Sequence, residues 1–298
     1  MEIVKNILVA GDPILDVYHL GKMNDKRFEI GKTITKLGGA ANTYLNCANI
    51  CSKTNIKVDY AWGTTKLHYP SLTRYVDSET DEILLETWSA LDSKKTTLVD
   101  DFYSFSSEAV FQLINNPVKK SYNTLVISDY NKGGVNRLNE DAETIFSQLT
   151  FDLIVADSRY GTISRDLIDL PPPQGPHGPL VLKILHATND EIGRWDDLAI
   201  FDWVVQTHGK DSVDIYKIKP DGQAVLEWCC GVPNTPITDT VGAGDTFTAA
   251  LAAHLTWNHS GANSLPRLIA ATEFAIKACQ DVIQRKYVAI TKETIIGQ

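Results

Sequence analysis

The stretch Asp239-Thr240-Val241-Gly242-Ala243-Gly244-Asp245-Thr246-Phe247 joins an acid to a run of residues almost without side chains. Gly242, Ala243 and Gly244 let a ligand approach the backbone closely. The small-residue run that follows, Thr248 to Ala253, reads as a helix, so the amides lie at the positive end of its dipole. Amides in that position bind phosphate or an oxyanion. A carboxylate inside such a cradle makes chemical sense if Asp245 takes a proton from a hydroxyl while the amides hold the phosphoryl group under attack. The plainer reading is a glycine helix start with Asp245 as a first-turn dipole partner. Two other glycine motifs are excluded. A dinucleotide fingerprint needs a third glycine where Phe247 stands, and no stretch supplies the G-x-x-x-x-G-K-[ST] of a P-loop.

Further polar residues sit at places that suit a cleft. Asp16 follows the first apolar strand, and Gly38-Gly39-Ala40-Ala41-Asn42 is a second glycine turn leading into a helix. Read singly, Asp16 is also a turn cap and Asn42 a helix N-cap. Asp129 ends an apolar strand, where the crevice of an open α/β sheet binds ligands. Lys132, just after it, suits a phosphate equally as well as a solvated loop. Five cysteines without C-x-x-C spacing suggest neither zinc nor a disulfide framework, and read as reduced thiols of a cytoplasmic protein.

The string D-T-x-G-A-G-D at 239–245 resembles the second signature of the PfkB/ribokinase family of carbohydrate kinases. The resemblance implies ATP as phosphoryl donor with Mg²⁺, Asp245 as catalytic base, and Gly242, Ala243 and Gly244 as the anion hole. G-D-x-x-L-D at 11–16, G-G-A-A-N at 38–42 and S-D-Y-x-K-G at 128–133 are most similar to the heptose-phosphate kinases of the ADP-heptose pathway. By that likeness Asp16 and Asn42 bond sugar hydroxyls, Gly38 and Gly39 admit the sugar to the backbone, Asp129 lines its site, and Lys132 meets ATP or a substrate phosphate. Thr207-His208-Gly209-Lys210-Asp211-Ser212 resembles the T-x-G-x-x-G turn along the ATP phosphates, with Ser212 in place of the last glycine. Thr207 and Gly209, with Asp239 and Thr240, are therefore expected on the nucleotide. The family's N-x-x-E element, which organises Mg²⁺ through water, corresponds to Thr188-Asn189-Asp190-Glu191; aligning on Glu191 puts threonine in the asparagine position, aligning on Asn189 puts Ile192 in the glutamate position, and the resemblance favours Glu191. A nucleoside kinase shares this chemistry. The altered metal element and Ser212 also suit a sugar- or nucleotide-binding protein that has lost turnover.

These residues need a sheet to hold them. Apolar runs at 6–10, 57–61, 124–128, 153–156, 180–184 and 203–206 alternate with helical stretches at 106–115, 138–149 and about 264–282. That pattern predicts a ribokinase-like three-layer α/β/α domain on a mostly parallel sheet, one domain over residues 1–298. Segments 18–35 and 71–88 alternate like exposed strands and predict a small four-stranded lid, through which the resemblance implies a homodimer. Between about 62 and 71 the family's usual helix–strand unit is missing. A hairpin is expected over 213–228 and a last strand over 288–290. The proline-rich stretch 171–179 is a surface loop, and the alanines of the final helix leave room for an adenine ring. A composition 43% hydrophobic with net charge −9 is that of an ordinary soluble domain and disfavours broad binding to nucleic acid or an anionic membrane. The N-terminus lacks the length and cleavage pattern of a signal peptide.

Overall fold

The structure, a computed structural model, describes residues 4–61, 70–88, 122–132, 135, 149, 151–168, 181–258, 265–292 and 294–296. The main sheet has eight strands in the order β12-β11-β10-β9-β8-β7-β1-β4. They are β1 (Lys5–Gly11), β4 (Ile56–Ala61), β7 (Thr124–Asp129), β8 (Leu153–Ser158), β9 (Leu182–Thr188), β10 (Trp203–Thr207), β11 (Ser212–Ile218) and β12 (Ala224–Gly231). From β4 to β10 every neighbour is parallel, and the β11–β12 hairpin closes one edge antiparallel. The central strands are apolar along their length because both faces are covered: β7 and β8 have no residue that is not buried.

Alternate strand residues feed two cores. Ile7, Val9, Val126, Val155 and Val205 pack with helices α1 (Ala40–Ile50), α4 (Ala243–Trp257) and α5 (Leu265–Ile283). Leu8, Ala10, Leu125, Ile127 and Ile154 pack on the other face with Phe151, Leu167 and Phe201. Leu167 belongs to the helical turn α2 (Arg165–Ile168); a second turn, α3 (Asn189–Ile192), follows β9.

The lid is a separate four-stranded sheet, β3-β2-β5-β6, formed by β2 (Pro13–Asn24), β3 (Arg27–Gly39), β5 (Ser71–Asp77) and β6 (Ile83–Trp88). It is more extensive than the alternation in 18–35 suggests, because β2 starts two residues after β1 ends and β3 runs directly into α1. Asp16 is thus a strand residue rather than a turn cap.

One expectation fails. Residues 288–290 form no strand; the segment is held irregularly, with Arg285 Nη1 donating to the Ile290 carbonyl (2.7 Å) and Asn46 Oδ1 accepting from Thr291 N (2.9 Å). Of the alanines of the final helix, Ala271, Ala275 and Ala278 are fully buried in the core shared with α4, while Ala270 is exposed. The helices expected at 106–115 and 138–149, the proline-rich loop and the 62–69 stretch lie outside the described residues. No helix among the described residues is long and apolar enough to cross a membrane.

Candidate active site

The site lies at the C-terminal ends of the parallel strands, where α1 and α4 begin. Gly242 makes the turn into α4 with φ 83°, in the left-handed region open to glycine. A Cβ there would fall 2.6 Å from Asn42 Nδ2. The amide of Ala243 donates to the Thr240 carbonyl (3.1 Å), so it is spent on closing the turn and is not part of an anion hole. The amides of Gly244 and Asp245, like that of Gly242 before the helix, have no intrahelical acceptor. Gly244 is exposed and a Cβ built on it meets nothing within 4 Å, the open approach that a phosphoryl group needs.

Asp245, on the first turn of α4, is 2% exposed. Its Oδ2 accepts from Asn42 Nδ2 (3.1 Å), and its Oδ1 accepts from the Tyr130 hydroxyl (2.9 Å) and the Thr43 hydroxyl (3.5 Å). Asn46 Nδ2 donates to Asn42 Oδ1 (3.0 Å), which leaves the Asn42 amino group to point at Asp245. Asn42 is therefore a holder of the base, with its amide engaged inside the protein rather than free for a sugar hydroxyl. Burial pushes the Asp245 carboxyl up from 3.8 to about 7, helped by the nearby charge of Asp157 and opposed by the bonds from Asn42 and Tyr130 and by the charge of Arg159. A buried carboxylate that titrates near neutrality is suited to general-base work.

Beneath it lies a buried polar chain. Thr248, one turn further along α4, donates to Asp157 Oδ2 (2.8 Å) and accepts from His186 Nδ1 (2.8 Å). Since the threonine proton is given to Asp157, the imidazole carries its hydrogen on Nδ1. His186 also stacks on Phe247 with ring centres 4.6 Å apart. Burial would raise the Asp157 carboxyl, but His186, Thr248 and Arg159 more than offset it and hold it below the usual range. A fixed negative charge under Asp245 is the result.

Tyr130 and Arg159 complete the cleft. The Arg159 guanidinium stacks over the Tyr130 ring at 4.5 Å, with its side chain 49% exposed and its Nε 3.9 Å from Glu191 Oε1. Its charge bears on Asp16 as well as on Asp245, so it lies within reach of both the acid of the lid and the acid of α4. Neither residue was singled out by sequence reasoning. The only local signal is their place one residue after Asp129 and two after Asp157, at the ends of buried strands.

The remaining expected residues divide. Asp16 Oδ1 pairs with Arg74 Nη1 at 2.5 Å, and a Cβ on Gly38 would lie 1.9 Å from Asp16 Oδ2, so glycine at 38 is what lets the acid lie there. Gly39 is the residue before α1, with φ 57°. Asp129 is a correction: its carboxylate accepts from Asn131 N (2.8 Å), Ser158 Oγ (2.5 Å) and the Thr162 hydroxyl, which shapes the loop and leaves little for a substrate. Asp12, missed in the sequence, anchors the same loop by accepting from the amides of Tyr130 and Lys132, both at 2.9 Å. Lys132 reaches across to the lid, its ammonium 4.1 Å from the centre of the Trp88 ring.

Asp239 ties two segments together, accepting from Val241 N (2.9 Å) and Tyr287 N (2.7 Å), and Thr240 offers its carbonyl to Ala243. Both build the turn under the open amides. Thr207 ends β10 beside His186, its hydroxyl 3.5 Å from Nε2. Gly209 lies in an exposed turn with open space where a side chain would be. Glu191 Oε2 accepts from Thr188 N (2.9 Å), which makes it the reciprocal cap of α3. Its other oxygen lies 3.9 Å from Arg159 Nε, and no cluster of metal-ligating side chains occurs among the described residues, so the contact with Mg²⁺ expected of Glu191 is one through water.

A family model described as "pfkB family carbohydrate kinase" matches residues 184–286. No curated protein sequence matches the chain. Solved structures resemble it along nearly its whole length. Phosphofructokinase-2 from Escherichia coli superposes with a TM-score of 0.62 at 14% identity, covering 97% of this chain and 96% of that one. Ribokinase from Thermotoga maritima gives 0.61 at 14% identity, covering 96% and 95%. A nucleoside kinase from Methanocaldococcus jannaschii gives 0.59 at 14% identity, covering 96% and 94%. The fold is ribokinase-like, with a large, mostly parallel sheet and a smaller second sheet.

Proposed function

We propose that the protein transfers the γ-phosphoryl group of ATP to a hydroxyl of a small sugar or sugar phosphate. The observation that carries this reading is Asp245: a carboxylate at the first turn of a helix, held by three donors, poised near neutrality and next to an amide that opens onto free space. Bound ATP supplies the group transferred. The Gly244 and Asp245 amides then bear the charge of the moving phosphoryl, with the Arg159 guanidinium facing the same space. Asp245 accepts the proton of the acceptor hydroxyl as its oxygen bonds phosphorus and the bond to the ADP oxygen breaks. Asn42, Thr43 and Tyr130 keep the carboxylate from turning away. Asp16 takes the hydroxyls of the acceptor on the lid side. Mg²⁺ bound with ATP would keep much of its water, and Glu191, already serving as a cap, would meet it through that water while the ion supplies positive charge for the moving phosphoryl.

The match to the pfkB model and the kinase relatives support the reaction class. A heptose phosphate is one acceptor within it, and a nucleoside is another, in keeping with the nucleoside kinase of the same fold. Exposed Ile30, Ile83 and Leu85 on the lid sheet support a homodimer through that sheet, in a protein acting in the cytoplasm. Release of ADP from ATP, followed with ribose, fructose 6-phosphate, a heptose 7-phosphate and adenosine as acceptors, tests the reading. Acceptor-dependent ADP release that is lost in Asp245→Asn supports it. Thermal stabilisation by these compounds with no ADP formed assigns a binding protein instead.

A further inference from the structure

The lid contains a buried cation that the chemistry above does not use. Arg74 sits on β5, one of the two central lid strands, with its side chain 7% exposed. Nη1 meets Asp16 Oδ1 at 2.5 Å and donates to the Tyr18 hydroxyl at 3.1 Å, while Nε donates to Glu86 Oε1 at 2.6 Å. Tyr18 in turn packs against Tyr287, 4.7 Å between ring centres, which turns this face of the lid toward the catalytic domain. Asp16 itself is 6% exposed in its side chain.

Burying such a pair is a poor way to stabilise a sheet. The desolvation of both charges roughly cancels their attraction, and apolar residues of the same size often do as well or better. The lid would fold with apolar residues in place of both Asp16 and Arg74, so the buried pair calls for another reason.

We propose that Arg74 is a positioning residue of the acceptor site, which aims Asp16 over Gly38 and keeps it a pure hydrogen-bond acceptor for substrate hydroxyls. The inference rests on the kinase reading for the identity of the substrate, but not for the ion pair. Arg74 occupies one oxygen of Asp16; the other lies against the Gly38 backbone, where no side chain can intervene. A carboxylate so placed accepts hydrogen bonds from hydroxyl groups. Burial raises the Asp16 carboxyl, and Arg74 pulls it back down by its charge and its bond, so without the guanidinium it would hold a proton more readily and lose acceptor capacity. The Arg74 guanidinium is shared between Asp16 and the half-exposed Glu86, so the part of the acceptor that Asp16 itself reads is a hydroxyl rather than an anion, and any phosphate it carries falls to Arg159 or Lys132 across the cleft.

Three proteins decide the matter: wild type, Arg74→Met and Arg74→Lys. Carbon-13 NMR of the carboxyl groups, with Asp16 assigned from the spectrum lost in Asp16→Asn, follows its titration in the ligand-free protein. Removing the guanidinium should raise the midpoint by about one unit or more, with lysine restoring part of the shift. In steady-state assays Arg74→Met should raise the KM for the acceptor roughly 10- to 100-fold, with the KM for ATP within about twofold. The acceptor KM of that variant should improve as the pH rises, while the wild type stays flat. If the wild type turns over no acceptor, calorimetric binding of ribose, fructose 6-phosphate and adenosine replaces KM, and the kinase reading falls separately. An unmoved Asp16 titration overturns the proposal. So does an acceptor KM or Kd unchanged in a folded Arg74→Met protein, or an equal loss for ATP and acceptor.

Discussion

Replacing Asp245 by asparagine should kill turnover and strengthen the fold, and the second effect has a computable pH dependence. The carboxyl is raised from 3.8 to about 7 in the folded protein. Between those values the native state binds a proton that the unfolded chain has lost, so stability falls as the pH climbs and levels off above 7. Three units at 1.36 kcal/mol each put the full cost of ionising Asp245 at roughly 4 kcal/mol. Asparagine has nearly the same shape and no charge to bury. Part of the gain is given back, because its amino group must turn away from the donating Asn42. The variant should therefore match wild type near pH 4 and exceed it by about 2 to 4 kcal/mol at pH 8.5, read from urea unfolding at both values. Turnover should drop by about 10²- to 10⁴-fold. Wild-type kcat/KM should rise tenfold per pH unit up to about 7 and then flatten. A variant no more stable than wild type at pH 8.5, or a rate profile flat from pH 5 to 8, would refute both the buried charge and its role as base.

Three further substitutions test the rest of the cleft. Gly244→Ala puts a methyl into empty space at a helix start, so stability should hold or rise by up to about 1 kcal/mol while the KM for ATP climbs at least about tenfold; calorimetry with ADP separates the two. Arg159→Met removes a charge that pulls Asp245 down, so the acid limb of kcat/KM should move to higher pH while kcat falls about 10²- to 10³-fold. An unmoved limb would place Arg159 outside the base's field. Gly38→Ala sets a methyl 1.9 Å from Asp16 Oδ2, and should cost about 1 to 3 kcal/mol by overpacking and raise the acceptor KM with little change for ATP. An acceptor KM equal to wild type would remove Asp16 from the substrate.

Much of this architecture could be read from the residues in order. The apolar runs of β1, β7, β8 and β10 declare strands buried on both faces, and two glycine turns announce the starts of α1 and α4. Asp245 stands out because its acid occupies a position that otherwise attracts anions. Thr188 and Glu191 also have the spacing of a capping box, a purely local device legible in the sequence, and the structure uses them so. The alanines of α5 divide, since Ala271, Ala275 and Ala278 serve close packing against a neighbouring helix while Ala270 stays exposed.

What chain order determined by itself was set by local backbone physics: the buried strands, the helix starts, the unhindered backbone at Gly244 and the acid beside it. Only the tertiary structure decided who stands beside that acid. Asn42 meets Asp245 across 203 positions, Tyr130 across 115, and Arg74 meets Asp16 across 58. Those partners set the proton affinity of Asp245 and the aim of Asp16, because desolvation and nearby charge act through space and depend on how the sheet, the lid and the two helices converge.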